Sequence, residues 1–125
     1  MTDNETLVLI GEDEPDNQII LQTVVETLVG VRAEVAGDGV AVLACVERER
    51  PRMILLDLMM PGLDGFQVTR KLKANPQTAA IPIVAVSAMA HPDDREAALA
   101  AGCDDFVRKP FELDDLEAVI RTYLD

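Results

Sequence analysis

The amino-acid sequence predicts an α/β domain in which a doubly wound, five-stranded parallel sheet carries helices on both faces. Short apolar runs alternate five times with longer segments of helical spacing, a pattern typical of parallel sheets. Three of these runs are apolar throughout, as strands buried on both faces must be. The chain has 125 residues, well short of the roughly 250 that an eight-unit barrel needs. An open sheet therefore fits this chain length better than a closed barrel does.

The first unit begins with residues 7–10, an apolar run too short for a helix and so predicted as a buried strand. Pro15 suits the first turn of the helix that follows, and Gly30 suits its end. The apolar stripe of this helix consists of Leu21, Val24, Val25 and Leu28. Residues 31–36 then alternate apolar and polar side chains, which indicates a half-buried strand near the sheet edge.

The next two units follow the same pattern. The turn at residues 37–39 leads into a predicted helix over residues 40–50, and the apolar residues 53–56 form the third strand. After a loop at residues 61–65, the sequence predicts a helix over residues 66–73, which Asn75-Pro76 ends.

The last two units complete the sheet. Residues 81–86 form the fourth strand, with Pro82 tolerated near its beginning. An alanine-rich helix opens at residues 91–94 and ends at Gly102, and residues 103–107 form the fifth strand. A final amphipathic helix is marked by an apolar stripe of Leu113, Leu116, Ile120 and Tyr123.

Right-handed crossovers leave few strand orders for five such units, and the flavodoxin-like order 2-1-3-4-5 is the natural one. We expect one domain over residues 1–125, with a core of about residues 6–124. The length leaves no room for an output domain in this chain. Whether the chain is a whole protein or part of a longer one stays open.

Composition excludes several classes of function. The chain has 11 basic and 23 acidic residues and a net charge of −12, which argues against binding nucleic acid or anionic membranes. No apolar run approaches a membrane span and the start is unlike a signal peptide, so we expect a soluble, cytoplasmic protein. Cys45 and Cys103 lie in apolar stretches and are predicted to be buried thiols. The single His91 excludes a two-histidine metal site and is predicted to be a solvated loop residue.

Polar residues follow four of the five predicted strands. These residues are Glu12, Asp13, Glu14, Asp57, Ser87 and Lys109. Ligands bind beyond the carboxyl ends of the strands in an open α/β sheet. Since strands one and three are neighbours in the order 2-1-3-4-5, we expect Asp13 and Asp57 to lie close together, with Ser87 and Lys109 beside them.

Taken singly, most of these residues have a structural interpretation, such as a helix cap at Glu14. Asp57 is harder to explain in this way, because an ionised carboxylate with apolar neighbours in sequence needs a partner. Clustered carboxylates repel one another unless a cation lies between them, and Mg²⁺ suits an all-oxygen site. A carboxylate can also accept a phosphoryl group, given a metal and cationic donors. The set therefore predicts a Mg²⁺-dependent phosphoaspartate site.

The motifs resemble the receiver domain of two-component response regulators, the CheY-like family, over essentially the whole chain. They are Glu12-Asp13, Asp57 with Met60-Pro61-Gly62-Leu63-Asp64-Gly65, Ser87-Ala88 and Lys109-Pro110. The resemblance implies that Asp57 is the phosphoacceptor, which takes its phosphoryl group from a histidine of a sensor histidine kinase or a histidine phosphotransfer protein.

The resemblance also implies the other roles. The metal ligands are Asp13, Asp57 and the backbone carbonyl of Met59, and Glu12 holds metal-bound water. Lys109 pairs with Asp57 and then with the phosphoryl oxygens, and the bond from Lys109 to Pro110 is cis, a form that proline makes accessible. The switch residues are Ser87 and Phe106.

Four positions qualify the resemblance. Glu12 stands where Asp is frequent, and Phe106 replaces a common tyrosine and so lacks its hydroxyl. In this family the positions of Met59 and Met89 border the route of the attacking water. Because neither thioether orients water well, we expect a comparatively long-lived phosphoryl group.

The sequence therefore predicts a signalling switch rather than an enzyme, one that assists its own phosphorylation and dephosphorylation. The face formed by the fourth helix, the fifth strand and the fifth helix would signal to an unidentified output protein. One alternative is a small Mg²⁺-dependent phosphatase with an aspartyl nucleophile, although Met59 stands where such enzymes usually carry a second Asp. The other is a pseudo-receiver used only for docking. A weak homodimer through the last helix stays open.

Overall fold

Five parallel strands form one sheet in the order β2-β1-β3-β4-β5. The structure is a computed structural model that describes residues 6–88, 91 and 93–124. The strands are β1 (Leu7–Gly11), β2 (Arg32–Ala36), β3 (Met53–Leu56), β4 (Ile83–Ser87) and β5 (Asp105–Arg108). The helices are α1 (Pro15–Thr23), α2 (Gly39–Arg48), α3 (Gly65–Ala74), α4 (Asp94–Ala101) and α5 (Leu113–Leu124). The predicted fold class and strand order are confirmed.

The two faces of the sheet bury two separate apolar clusters, because successive side chains of a strand point to opposite faces. Leu9 and Ile54 face helices α2, α3 and α4. Val8 and Leu55 face α1 and α5. The sheet is thus covered on both sides, which agrees with the almost wholly apolar composition of β1, β3 and β4.

Helix α1 runs directly into a π-helical segment, Val24–Val29, which Gly30 ends in the left-handed conformation with φ of 88°. The wider π turn shifts the apolar stripe by one position. Val29 packs against the core, whereas Leu28 is 38 % exposed. The prediction that Leu28 belongs to the buried stripe is therefore wrong, since the stripe assumed an α-helical period throughout.

Other details differ from the prediction. β4 runs over Ile83–Ser87 rather than residues 81–86, so Pro82, which has no N–H to donate, precedes the strand. Leu113 was expected in the buried stripe of α5 but is exposed, because it is the first residue of the helix and lies at the rim of the sheet. β5 begins at Asp105 rather than at residue 103. Cys103 precedes the strand and packs in the core, where both cysteines are buried as predicted.

His91 is exposed, as the sequence predicts, and its ring accepts a hydrogen bond from the Asp93 N–H. Among the helices of the described residues, none is both long and apolar enough to cross a lipid bilayer.

Candidate functional site

The carboxyl ends of β1 and β3 lie side by side, with Gly11 paired to Leu56 in the parallel register. The Asp57 N–H donates to the Gly11 carbonyl at 2.8 Å, which fixes Asp57 at the end of its strand. The Glu12 N–H donates to the Ala36 carbonyl of β2 at 3.0 Å. The sheet itself therefore brings the residues after β1 and the residue after β3 to one edge.

Three carboxylates converge at this edge. Glu12, Asp13 and Asp57 each offer one oxygen, and these three oxygens lie within 4.8 Å of one another. Glu12 is 0 % exposed and Asp57 is 7 % exposed, whereas Asp13 faces the solvent. Buried carboxylates at this spacing repel one another and require positive charge nearby.

Lys109 supplies part of that charge. Its Nζ lies 2.5 Å from Oε1 of Glu12 and 3.0 Å from Oδ2 of Asp57. Its backbone N–H donates to the Ser87 carbonyl at 2.9 Å, so β4 and β5 together set the position of the lysine. The peptide bond from Lys109 to Pro110 is cis.

Backbone amides hold the second oxygen of each buried carboxylate. The Met59 N–H donates to Oδ1 of Asp57 at 2.9 Å, and the Glu14 N–H donates to Oε2 of Glu12 at 3.0 Å. Each of these carboxylates therefore receives one ammonium and one amide hydrogen bond. Such charge-assisted bonds partly offset the cost of burial.

The ionisation of Glu12 and Lys109 reflects this balance. Burial raises the pKa of Glu12 above its ordinary value, and the hydrogen bond from Lys109 opposes the rise only in part. Burial alone would lower the pKa of Lys109, but hydrogen bonds to Glu12 and Asp57, together with their charges, raise it overall. The ammonium thus stays protonated at neutral pH.

The proposed switch residues lie on the two neighbouring strands. Ser87 is fully buried at the end of β4 and pairs with Arg108 of β5. Phe106 is buried in the apolar cluster beneath α2, α3 and α4. Its backbone carbonyl accepts a hydrogen bond of 3.2 Å from Nη1 of Arg95, on α4. The sequence analysis missed this link, since nothing in the spacing of Arg95 reveals its partner.

Met59 is 58 % exposed beside Asp57, and Met89 lies outside the described residues.

An apolar surface that was not predicted from the sequence lies next to the site. Ile19, Ile20, Leu28 and Leu113 are exposed together, and they line a cavity of about 360 Å³. A second cavity of about 410 Å³ shares Ile20 and Leu113 with it and extends to Lys109 and Pro110. The signal in the sequence was Ile19-Ile20-Leu21, because only one of three consecutive helical residues can face the core. We name Ile19, Ile20, Leu28 and Leu113 the apolar patch.

The donor set at the edge fits a magnesium ion. Carboxylate oxygens are the ligands that this hard cation prefers, and it usually takes one or two of them together with waters. Three carboxylates and one ammonium leave two negative charges uncompensated, which a divalent cation balances.

Comparison with known proteins gives one consistent family. A family model described as the response regulator receiver domain matches residues 8–121. The "Probable transcriptional regulator ycf27" of Porphyridium aerugineum is 37% identical over 117 residues, which are 94% of this chain and 47% of the relative. The "Uncharacterized 14.6 kDa protein in sodA1 3'region" of Leptolyngbya boryana is 31% identical over 116 residues, which are 93% of this chain and 88% of the relative. The chain spans about half the length of the first relative.

Solved structures give the same result. The receiver domain of the sensor histidine kinase PA1611 from Pseudomonas aeruginosa PAO1 has a TM-score of 0.87 and 34% identity, covering 95% of this chain and 97% of that chain. That structure holds a magnesium ion coordinated in its active site cleft. The signal receiver domain of a histidine kinase from Syntrophus aciditrophicus has a TM-score of 0.88 and 29% identity, covering 95% of this chain and 89% of that chain.

Proposed function

The chain belongs to the response regulator receiver domain family, as its motifs predicted, and we propose that it is a phosphorylation-controlled switch. Receiver domains are signalling switches rather than ordinary enzymes. In the proposal, Asp57 accepts a phosphoryl group from a phosphohistidine of a partner protein. The proposal places one domain over residues 1–125, with its core at about residues 6–124, in the cytoplasm.

The observation that carries the proposal is the contact of Asp57 with Lys109 inside a cluster of carboxylates. Lys109 lies 3.0 Å from one oxygen of Asp57, and the Met59 N–H lies 2.9 Å from the other. Because each of its oxygens accepts a hydrogen bond, the Asp57 carboxylate has a fixed orientation at the carboxyl edge of the sheet. The ammonium is also placed to pair with phosphoryl oxygens once Asp57 carries them.

The transfer itself needs little from the protein beyond position and charge. An oxygen of Asp57 forms a bond to phosphorus while the bond from phosphorus to the donor's imidazole nitrogen breaks, and the imidazole keeps that electron pair. Asp13, Asp57 and the backbone carbonyl of Met59 would hold Mg²⁺ directly, and Glu12 would hold it through water. When bound, the ion supplies positive charge against the phosphoryl oxygens.

The proposed signal leaves through the α4–β5–α5 face. Ser87 would move toward the phosphoryl group, and Phe106 would respond on the adjacent strand. The hydrogen bond from Arg95 to the Phe106 carbonyl supports this route, because it ties α4 to the strand that contains Phe106 and leads directly into Lys109. An output protein would recognise the two arrangements of this face.

The phosphodonor would dock on the apolar patch. Two observations support this placement, the first being the cavity that joins Ile20 and Leu113 to Lys109. The second is charge, because exposed acidic residues lie close in sequence to the residues of the patch. They are Glu14, Asp16, Glu26, Glu112 and Asp114. The partner therefore presents apolar side chains bordered by Lys or Arg.

Phosphorylation by acetyl phosphate tests the proposal. With Mg²⁺, the wild-type protein should gain the mass of one phosphoryl group, and Asp57→Asn should gain none. Asp114→Asn, an exposed acid in α5, is the matched control and should label as the wild type does. A folded wild-type protein that takes no label would support the docking alternative, and steady turnover of a phosphate monoester would support the phosphatase.

A further inference from the structure

The carboxylate of Glu12 is engaged by the protein on both of its oxygens. Oε1 accepts from Lys109 at 2.5 Å, a shorter contact than the 3.0 Å from Lys109 to Asp57. Oε2 accepts from the Glu14 N–H at 3.0 Å. Glu12 is also 0 % exposed. The primary partner of this carboxylate in the structure is therefore the lysine.

The third carboxylate of the cluster is held quite differently. Asp13 is exposed, and its side chain makes no hydrogen bond or ion pair within residues 6–88, 91 and 93–124. It is free to turn toward a cation at little cost. To coordinate a cation directly, Glu12 would have to share or give up a buried, charge-assisted hydrogen bond, which is among the stronger interactions in a protein.

The backbone on both sides of the contact is also fixed. The Glu12 N–H donates to Ala36, and its carbonyl accepts from Nε2 of Gln18 at 2.7 Å. Lys109 is anchored to Ser87 through its own N–H. The carboxylate and the ammonium thus approach each other from positions directly after β1 and β5, with Asp57, directly after β3, beside the ammonium.

We propose that Glu12 is a positioning residue for Lys109, which it holds beside Asp57 so that the ammonium meets an incoming phosphoryl group. This role rests on the proposed function and is additional to any hold on metal-bound water. It predicts that Glu12 contributes to phosphoryl binding chiefly through Lys109. The longer side chain of Glu, compared with the Asp frequent at this position, provides the reach.

The first arm of the test needs no metal. In metal-free protein, nitrogen-15 NMR should show the Lys109 ammonium protected from exchange with water in the wild type and in Asp13→Asn. Glu12→Gln should lose that protection, because a neutral amide is a weaker acceptor than a carboxylate. Protection that survives in Glu12→Gln overturns the proposal.

The second arm separates the two roles of Glu12 by a double-mutant cycle. Beryllofluoride, a mimic of the phosphoryl group, and acetyl phosphate serve as probes, each at Mg²⁺ concentrations that saturate every variant. Glu12→Gln should weaken beryllofluoride binding and slow phosphorylation about tenfold, because residues in direct contact commonly show coupling of this size. In a Lys109→Met background the same change should alter the phosphorylation rate less than about twofold.

Two results of the cycle contradict the proposal. One is an equal loss from Glu12→Gln in both backgrounds, which would mean that Glu12 acts through the metal's water alone. The other is no loss in the wild-type background. Neither result is confused with failure of the proposed function, because that failure would show as a wild-type protein that binds no beryllofluoride and takes no label.

Discussion

The two ends of the sheet each carry a lysine bound to carboxylates, but they use it differently. At the amino end, Lys73 lies 3.1 Å from Asp104, one cation against one anion. At the carboxyl end, Lys109 forms ion pairs with both Glu12 and Asp57, and Asp13 lies nearby. The Lys73–Asp104 pair is balanced in charge, whereas the cluster around Lys109 has an excess of negative charge.

Burial makes the difference sharper. Lys73 and Asp104 are 20% and 38% exposed, whereas Lys109 and Glu12 are 13% and 0% exposed. The Lys73–Asp104 pair also forms hydrogen bonds with backbone groups. Lys73 donates to the carbonyls of Ala79 and Ile81, and Asp104 accepts from the Ile83 N–H at 2.8 Å. These bonds stabilise the entry to β4.

Buried like charges destabilise a folded protein, so their presence at one end alone indicates a role other than stability. The comparison predicts that substitutions of the charged residues at the carboxyl end change phosphorylation more than stability. Substitutions at the amino end should do the opposite.

Asp13→Asn should give the largest effect, on phosphorylation. Loss of a predicted metal ligand should slow Mg²⁺-dependent labelling by acetyl phosphate by about a hundredfold, since even indirect partners of a metal contribute tenfold or more. The free energy of unfolding in urea should change by less than about 0.5 kcal/mol, because Asp13 is exposed. A comparable loss of labelling in Asp104→Asn would break the division between the two ends.

Gly39→Ala tests whether the carboxyl end also has purely structural requirements. A Cβ at Gly39 would lie 2.0 Å from the Leu63 carbonyl in the loop after β3, so the loop must move. We expect a loss of about 3 kcal/mol in unfolding free energy, as for an overpacked core. Gly37→Ala is the control. Its Cβ meets only the Gln18 side chain at 4.0 Å, and its stability should stay within about 1 kcal/mol of the wild type. Equal stability of the two variants would contradict the close approach.

Asp104→Ala removes the balanced pair at the amino end. Lys73 and the Ile83 N–H both lose an acceptor, so unfolding in urea should show a loss of about 2 kcal/mol, limited by the partial exposure of the pair. Glu47→Ala, an exposed acid on α2, should change stability by less than about 0.5 kcal/mol. Labelling with acetyl phosphate should be unchanged in both variants. If Asp104→Ala kept its stability but took no label, the division between a structural amino end and a functional carboxyl end would be contradicted.

The sequence was sufficient to predict which residues meet at the carboxyl end of the sheet. It was insufficient to predict the contacts at the amino end. Glu12, Asp13, Asp57 and Lys109 all follow strands, and parallel strands bring such positions to one edge whatever their loops do. The contacts of Lys73 depend instead on how α3 ends and how β5 begins. The predicted start of β5 at residue 103 would have placed Asp104 inside the strand.

The remaining differences have local causes. Leu28 fits an α-helical stripe, but the π-helical turn changes the period, and no residue type in Val24–Val29 marks such a turn. The reach of Lys109 to Glu12 rather than only to Asp57 depends on side-chain conformation, which spacing does not determine. Fold and edge were therefore predictable, whereas the sharing of one ammonium between two carboxylates was not.

Cys103 gives the smallest and most local prediction, because it reports how tightly the amino end is closed. The thiol is buried, with Thr69 Oγ1 at 3.6 Å, and burial raises its pKa above the ordinary 9.0. Above pH 9.0 the unfolded thiol ionises first and the folded state binds more protons, so stability falls as pH rises. The fall in stability should be shallower in Cys103→Ala when the free energy of unfolding is measured across this pH range.

Modification by iodoacetamide tests the same closure. The reagent should modify Cys103 slowly in the native protein and faster in Asp104→Ala, because the reaction requires both a thiolate and access to it. Rapid modification in the wild type would show that the amino end opens as readily as the exposed edge around Asp13.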